Sequence, residues 1–184
     1  MAATFATPVK SYTWRISAIP RGTTRETLVD FFDIRDRERI EIRSLCPDVL
    51  DPEWLTATVL FKPPPGLPEA QPELDSNAPP DIEVDKDFEG FTPLYSPPGG
   101  QMIEADIIAV TGFAGHAFGS WARSETFMWL LDLAPRFASS SRILTYGYDI
   151  GLLGGRSSAA TVTDEAAAFL DHLLNIRDEI EGDR

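Results

Sequence analysis

The chain is poor in cysteine, histidine and net basic charge, and it has no long apolar run. Cys46 is the only cysteine among 184 residues, which excludes an internal disulfide and fits a reducing, cytoplasmic setting. His116 and His172 are the only histidines; with one distant cysteine they give no metal-ligand spacing. No apolar stretch approaches the roughly 18 residues of a membrane span. Met1 to Lys10 lacks the apolar centre of a secretory signal. Basic residues number 16 against 29 acids, for a net charge of −13. Residues 1–62 carry nine of each sign, whereas 63–100 carry one Lys against eight acids and 101–184 carry six Arg against twelve. With no net basic segment, a nucleic-acid backbone is not an expected partner.

What is present begins with a β-α-β-β pattern over residues 11–62. Tyr12 to Ile19 is rich in aromatic and branched residues, as strands are. Thr23-Thr-Arg-Glu26 has the form of a capping box before a helix with Leu28, Val29, Phe31 and Phe32 on its apolar face. Glu38 to Leu45 alternates, and Trp54 to Phe61 supplies a third strand. The order resembles half of an RNA-recognition motif. The two positions that would present stacking rings, however, are Thr56 and Thr58, so no base platform is expected.

Residues 63–90 carry seven prolines among acids and read as a stiff linker without a packed core. A proline-rich ligand for an SH3-type domain is the alternative there. Phe88 to Tyr95 should add an edge strand limited by Pro93.

The stretch Ala105 to Trp121 organises the remainder. Ile107 to Val110 suits a strand buried on both faces, and it breaks into Gly112, Gly115 and Gly119. In α/β folds, such a loop after a buried strand is where ligands bind. Ser124 is expected to cap a helix over 125–133, apolar nearly all round and therefore sandwiched. Arg142 to Tyr146 reads as a second strand, parallel to the first. A last helix starts at Thr163, with Ala166, Phe169, Leu170, Leu173, Ile176 and Ile180 on one face.

Four blocks carry a family resemblance: Phe91–Tyr95, Asp106–Trp121, Met128–Pro135 and Arg142–Tyr148. Together they resemble the start of a fungal α/β-hydrolase domain. Serine-esterase-like domains of this kind stand at the N-terminus of fungal NACHT and ankyrin-repeat (NLR-like) proteins. The resemblance covers roughly residues 88–180. It implies an α/β fold: a partial α/β-hydrolase-type parallel sheet in residues 91–184, preceded by the β-α-β-β module (1–62) and linker (63–90). It implies an oxyanion loop whose backbone candidates are Gly112, Phe113 and Ala114. Two fixed N–H donors near such an oxygen lower an acyl-transfer barrier by a few kcal/mol. The His that often begins that loop is Thr111 here. A glycine turn serving only strand-to-helix packing is the other reading of the same residues.

No Gly-x-Ser-x-Gly elbow occurs anywhere in the chain, so the catalytic Ser, acid and His of the family have no counterpart. The expectation is an N-terminal fragment of a lipase- or esterase-like protein. It would be inactive by itself, and the full-length parent would take an ester or lipid substrate. The alternative is a non-catalytic interaction module with a protein partner. No cofactor is implied, since the glycine spacing fits neither dinucleotide nor phosphate-loop patterns. His116 is expected to order its loop and His172 to lie at the surface. Asp106 and Asp149 stand near strand ends and are expected to be solvated rather than a catalytic pair. Trp121, Trp129, Tyr146 and Tyr148 read as core or rim packing.

Overall fold

The computed structural model describes residues 13–64, 67, 70–99, 101–112, 115–148 and 159–182, with side chains of the last segment given for 163–176. It is a mixed α/β structure, mostly strands in antiparallel and mixed sheets with few helices.

The first sheet is antiparallel. Strand β1 (Thr13–Pro20) leads through a turn into helix α1 (Arg25–Val29), then β2 (Ile40–Pro47) and β3 (Trp54–Phe61). The fourth member, β4 (Glu83–Asp85), pairs along β1 and gives the order β2-β3-β1-β4. The capping box of α1 is real but sits one residue later than expected: Thr24 caps, and Thr27 returns the bond. Thr23 is already committed, its hydroxyl donating to the Pro20 carbonyl at 2.7 Å. Leu28 and Phe32 are buried against Ile16, Ile19, Ala57 and Val59.

The segment expected to lack a packed core contributes to this one. Ile82 is buried in the same cluster, and Leu74 and Val84 pack on it. The backbone joins too: Asp33 N–H donates to the Glu73 carbonyl at 2.9 Å, and Asp75 N–H to the Phe31 carbonyl at 2.8 Å. Three apolar side chains spaced among prolines and acids are enough to hold the strand. The burial each supplies outweighs a composition that, averaged, looks disordered.

The other face of β2 and β3 is also covered. Thr56 and Thr58 are both buried. Thr58 shares a hydrogen bond with Ser44 at 2.7 Å, and Ser44 Oγ also accepts from the Thr58 N–H at 3.1 Å. That N–H lies beside the bulge between Ile42 and Ser44, where the ladder skips a residue. Strand β5 (Gly90–Tyr95) lies against β2 and β3. Cys46 is buried there, and burial pushes its thiol up to about 11.

The second sheet has the order β5-β9-β6, with β6 at Ala105–Val110 and β9 at Ser141–Gly147. β6 and β9 are parallel, pairing Ile107 with Ile143 and Val110 with Tyr146. β5 runs antiparallel at the edge, with Pro93 opposite Leu144. The sheet is therefore mixed rather than purely parallel. β9 is buried along its whole length. β6 is not the doubly buried strand expected: Ile107 is 36% and Val110 45% exposed. Among the described residues it has a partner strand on one side only, so its outer half is less covered.

One face of this sheet packs on Phe88, Ala117, Phe118, Met128 and Leu130. The other packs Val49, Phe91, Leu144 and Tyr146 beneath helix α3 (Ala159–Gly182), whose Phe169, Leu173 and Ile176 point inward. Ala166 and Leu170, expected on that face, are exposed, and the Ile180 side chain lies outside the described residues. The helix expected over 125–133 is mostly something else. Strands β7 (Ala122–Ser124) and β8 (Phe127–Met128) form a hairpin, and α2 spans only Trp129–Asp132. Phe127, Trp129 and Leu133 are exposed rather than sandwiched.

Candidate functional site

The candidate site is the turn that follows β6. Val110 ends the parallel pairing. Gly115 N–H donates to the Gly112 carbonyl at 2.9 Å. A Cβ at Gly115 would collide with Thr111 Oγ1 and Ser120 Oγ, whereas one at Gly112 would meet open space. Only Gly115 is therefore required by crowding. Phe113 and Ala114, the other two oxyanion candidates, lie outside the described residues.

Thr111 is held twice. Its hydroxyl donates to the Gly112 carbonyl at 2.8 Å, and its own carbonyl accepts from the Tyr148 hydroxyl at 3.1 Å. Tyr148 follows the adjacent parallel strand, so β9 supports the loop that leaves β6. Burial first, and the Glu165 carboxylate next, push the phenols of Tyr146 and Tyr148 above the ordinary value of 10. Both are neutral hydrogen-bonding groups at physiological pH.

His116 fixes the far half of the loop, as expected. Its Nδ1 accepts from the Phe118 N–H at 3.1 Å and the Gly119 N–H at 2.9 Å. Its Nε2 meets the Lys86 carbonyl at 2.6 Å. Since Nδ1 accepts twice, the proton sits on Nε2 and is donated to Lys86. The ring also meets Phe88 edge-on, with centroids 5.3 Å apart. The Lys86 contact had no signal in sequence, because its acceptor is a backbone carbonyl 30 residues upstream.

His172 is not the surface residue expected. It packs beside Phe91 and Tyr146, with Nδ1 3.4 Å from the Tyr146 hydroxyl. Asp106 forms a two-pronged ion pair with Arg142 at 2.8 and 2.9 Å across the parallel strands. It is occupied structurally, and Asp149 lies outside the described residues. Tyr146 is buried, and Trp121 and Trp129 pack ring to ring, their centroids 6.2 Å apart. Among the described residues, two buried side-chain polar atoms have no hydrogen-bond partner: Trp121 Nε1 and Thr145 Oγ1.

Among the described residues no cluster of three or more His, Cys, Asp or Glu could hold a metal, and no helix is long and apolar enough to cross a membrane. Among the described residues no serine is hydrogen-bonded to an imidazole: Ser120 has His116 in its turn, but that imidazole is spent on Lys86, Phe118 and Gly119. No protein-family model matches the chain, and no curated protein or solved structure matches it either.

Proposed function

We propose that this chain is the N-terminal part of a serine ester hydrolase-like domain of the cytoplasm. In this reading the 112–119 turn is the oxyanion side, and the nucleophile is supplied by sequence beyond these residues. The observation that carries it is the parallel pairing of β6 with β9, with the glycine turn at the C-terminal end of β6. Ligand-binding loops of α/β sheets lie at that end of the strands. The open outer edge of β6 also supports the reading, since the next parallel strand of such a sheet has somewhere to pair.

With no serine hydrogen-bonded to a histidine among the described residues, the 184-residue chain is expected to show no titratable hydrolysis of a short-chain chromogenic ester. An in-frame continuation of the gene into a strand with Gly-His-Ser-x-Gly-Gly would place the nucleophile. Stoichiometric ester turnover by the 184 residues themselves, or a continuation without an elbow, overturns the proposal.

A non-catalytic interaction module is the second reading, favoured by the exposed side chains of Phe127, Trp129, Leu133 and Phe137, the last 83% exposed. In that case partner binding survives Gly112→Val, where a Cβ meets open space, and is lost on Phe137→Ser.

A further inference from the structure

We propose that His116 is an acid-released latch: its neutral imidazole holds the 116–121 turn closed, and protonation at Nδ1 frees that turn while its tie to Lys86 persists. The latch goes beyond the hydrolase reading and stands on hydrogen bonding alone. Neutral His116 does two jobs with opposite polarity. Nδ1 must be bare to accept from Phe118 and Gly119, and Nε2 must carry a hydrogen to donate to Lys86. A proton arriving at Nδ1 converts an acceptor for two backbone N–H groups into a third donor facing both. The Nε2–H bond to Lys86 keeps its polarity and is strengthened by the positive charge. Acid therefore acts on one side of the ring only.

What the bonded turn carries gives the change its reach. Phe118 is buried in the core beneath the sheet, and Trp121 packs against the same cluster. Ser120 N–H donates to the His116 carbonyl at 3.0 Å, and Trp121 N–H to the Phe118 carbonyl at 3.2 Å, so the turn is one hydrogen-bonded unit. Loss of two of its bonds loosens Gly119 to Trp121 first and leaves the 85–89 side anchored.

The 85–89 segment, which meets the ring through the Lys86 carbonyl and Phe88, carries Asp85, Lys86, Asp87 and Glu89. From β1, Arg15 reaches Asp85 at 2.7 Å and the Glu89 carbonyl at 2.6 Å. It also stands 5.9 Å from the centre of the Phe88 ring that touches His116. Asp85 is thereby neutralised, and no carboxylate is bonded to either imidazole nitrogen, so no ion pair exists to replace the lost acceptor.

Amide hydrogen exchange at Phe118 and Gly119, corrected for the intrinsic effect of pH, reads the latch directly. As the solution is acidified, wild-type protection is expected to fall about tenfold at both amides, with Ile16 and Ile143 unchanged. His116→Asn places a non-titrating oxygen near the position of Nδ1, and its protection should stay flat. Flat protection in the wild type, or an equal fall in His116→Asn, overturns the proposal. Should the variant fail to fold, ¹⁵N chemical shifts of the wild-type imidazole decide the matter. A neutral Nε2–H form at high pH that gives way to the doubly protonated ring supports the latch, and a neutral Nδ1–H form overturns it.

Discussion

Gly147 has less room for change than any catalytic candidate. It ends β9, where a Cβ would run into the backbone carbonyl of Phe88 and crowd the Ala117 methyl. A flexible side chain can swing aside, but a main-chain carbonyl cannot. Phe88 itself is pinned, with φ at 57° and its N–H donating to Asp85 Oδ1 at 2.8 Å. Gly147→Ala should therefore cost about 3 kcal/mol, the upper end of overpacking, read as a shift in denaturant midpoint at constant slope. Gly112→Ala, facing open space, should cost well under about 1 kcal/mol. A second residue-scale prediction concerns acid. Hydrogen bonds from the Arg35 side chain and backbone lower the Asp33 carboxyl from 3.8 to about 2. A depressed acid stabilises the fold above its unfolded value and loses that contribution as pH falls toward the folded one. The difference in stability between wild type and Asp33→Asn should thus be constant above about pH 5 and shrink between about pH 4 and 2. The Asp33 side chain is partly exposed, so added salt should reduce the difference; a gap undiminished at about pH 2 contradicts the assignment.

At the scale of elements, β2 is fastened to the β7–β8 hairpin through one side chain. Arg43 donates to both carboxylate oxygens of Asp132 at 2.8 and 2.9 Å and to the Thr126 carbonyl at 2.9 Å. Asp132 also accepts from the Met128 N–H at 2.7 Å, just before the short helix α2. Arg43 is only 10% exposed, so removing its partner strands a charge. Asp132→Ala should cost about 2 kcal/mol in urea unfolding, and replacing Arg43 by Met in the same chain should recover part of that loss. A double variant that adds the two single costs in full would sink the pairing. The same hairpin shows where pattern reading stops. Phe127 to Leu131 is continuously apolar, and such a run does not distinguish strand from helix. What separated them was the side chain of Asp132 reaching back four residues, a tertiary choice rather than a period. Strands β1, β2, β3 and β9 were legible because alternation or branched residues marked them. β4 was not, because three residues in an acidic, proline-rich stretch leave no periodic signal. At the candidate site, Gly115 and His116 were legible as loop-ordering residues. Tyr148 and Lys86 were not, since each acts through or upon a distant backbone carbonyl.

For the whole molecule, the question is whether the two sheets unfold together. The β-α-β-β module read from sequence as an appendage, yet its side chains complete the second sheet's surroundings. Val49 is buried among Phe91, Leu144, Tyr146 and Ile176. Arg15 reaches from β1 to Asp85, to the Glu89 carbonyl and, at 3.2 Å, to Thr92 on β5. Thr58 and Ser44 are buried on the face that β5 lies against, and separation would expose that face. Linkage of this kind makes partial unfolding costly, because each half would leave polar and apolar groups without their partners. A single transition is expected. Trp14 and Trp54 report on the first sheet, and Trp121 and Trp129 on the second. Variants that keep only one pair should give the same denaturant midpoint by fluorescence, provided the replaced tryptophans cost similar stability. Far-ultraviolet circular dichroism of each variant supplies that control, since its midpoint must match the fluorescence of the same chain. Two midpoints within one variant would mean that the sheets fold separately, and that the contacts of Arg15, Arg43 and Val49 are too weak to couple them.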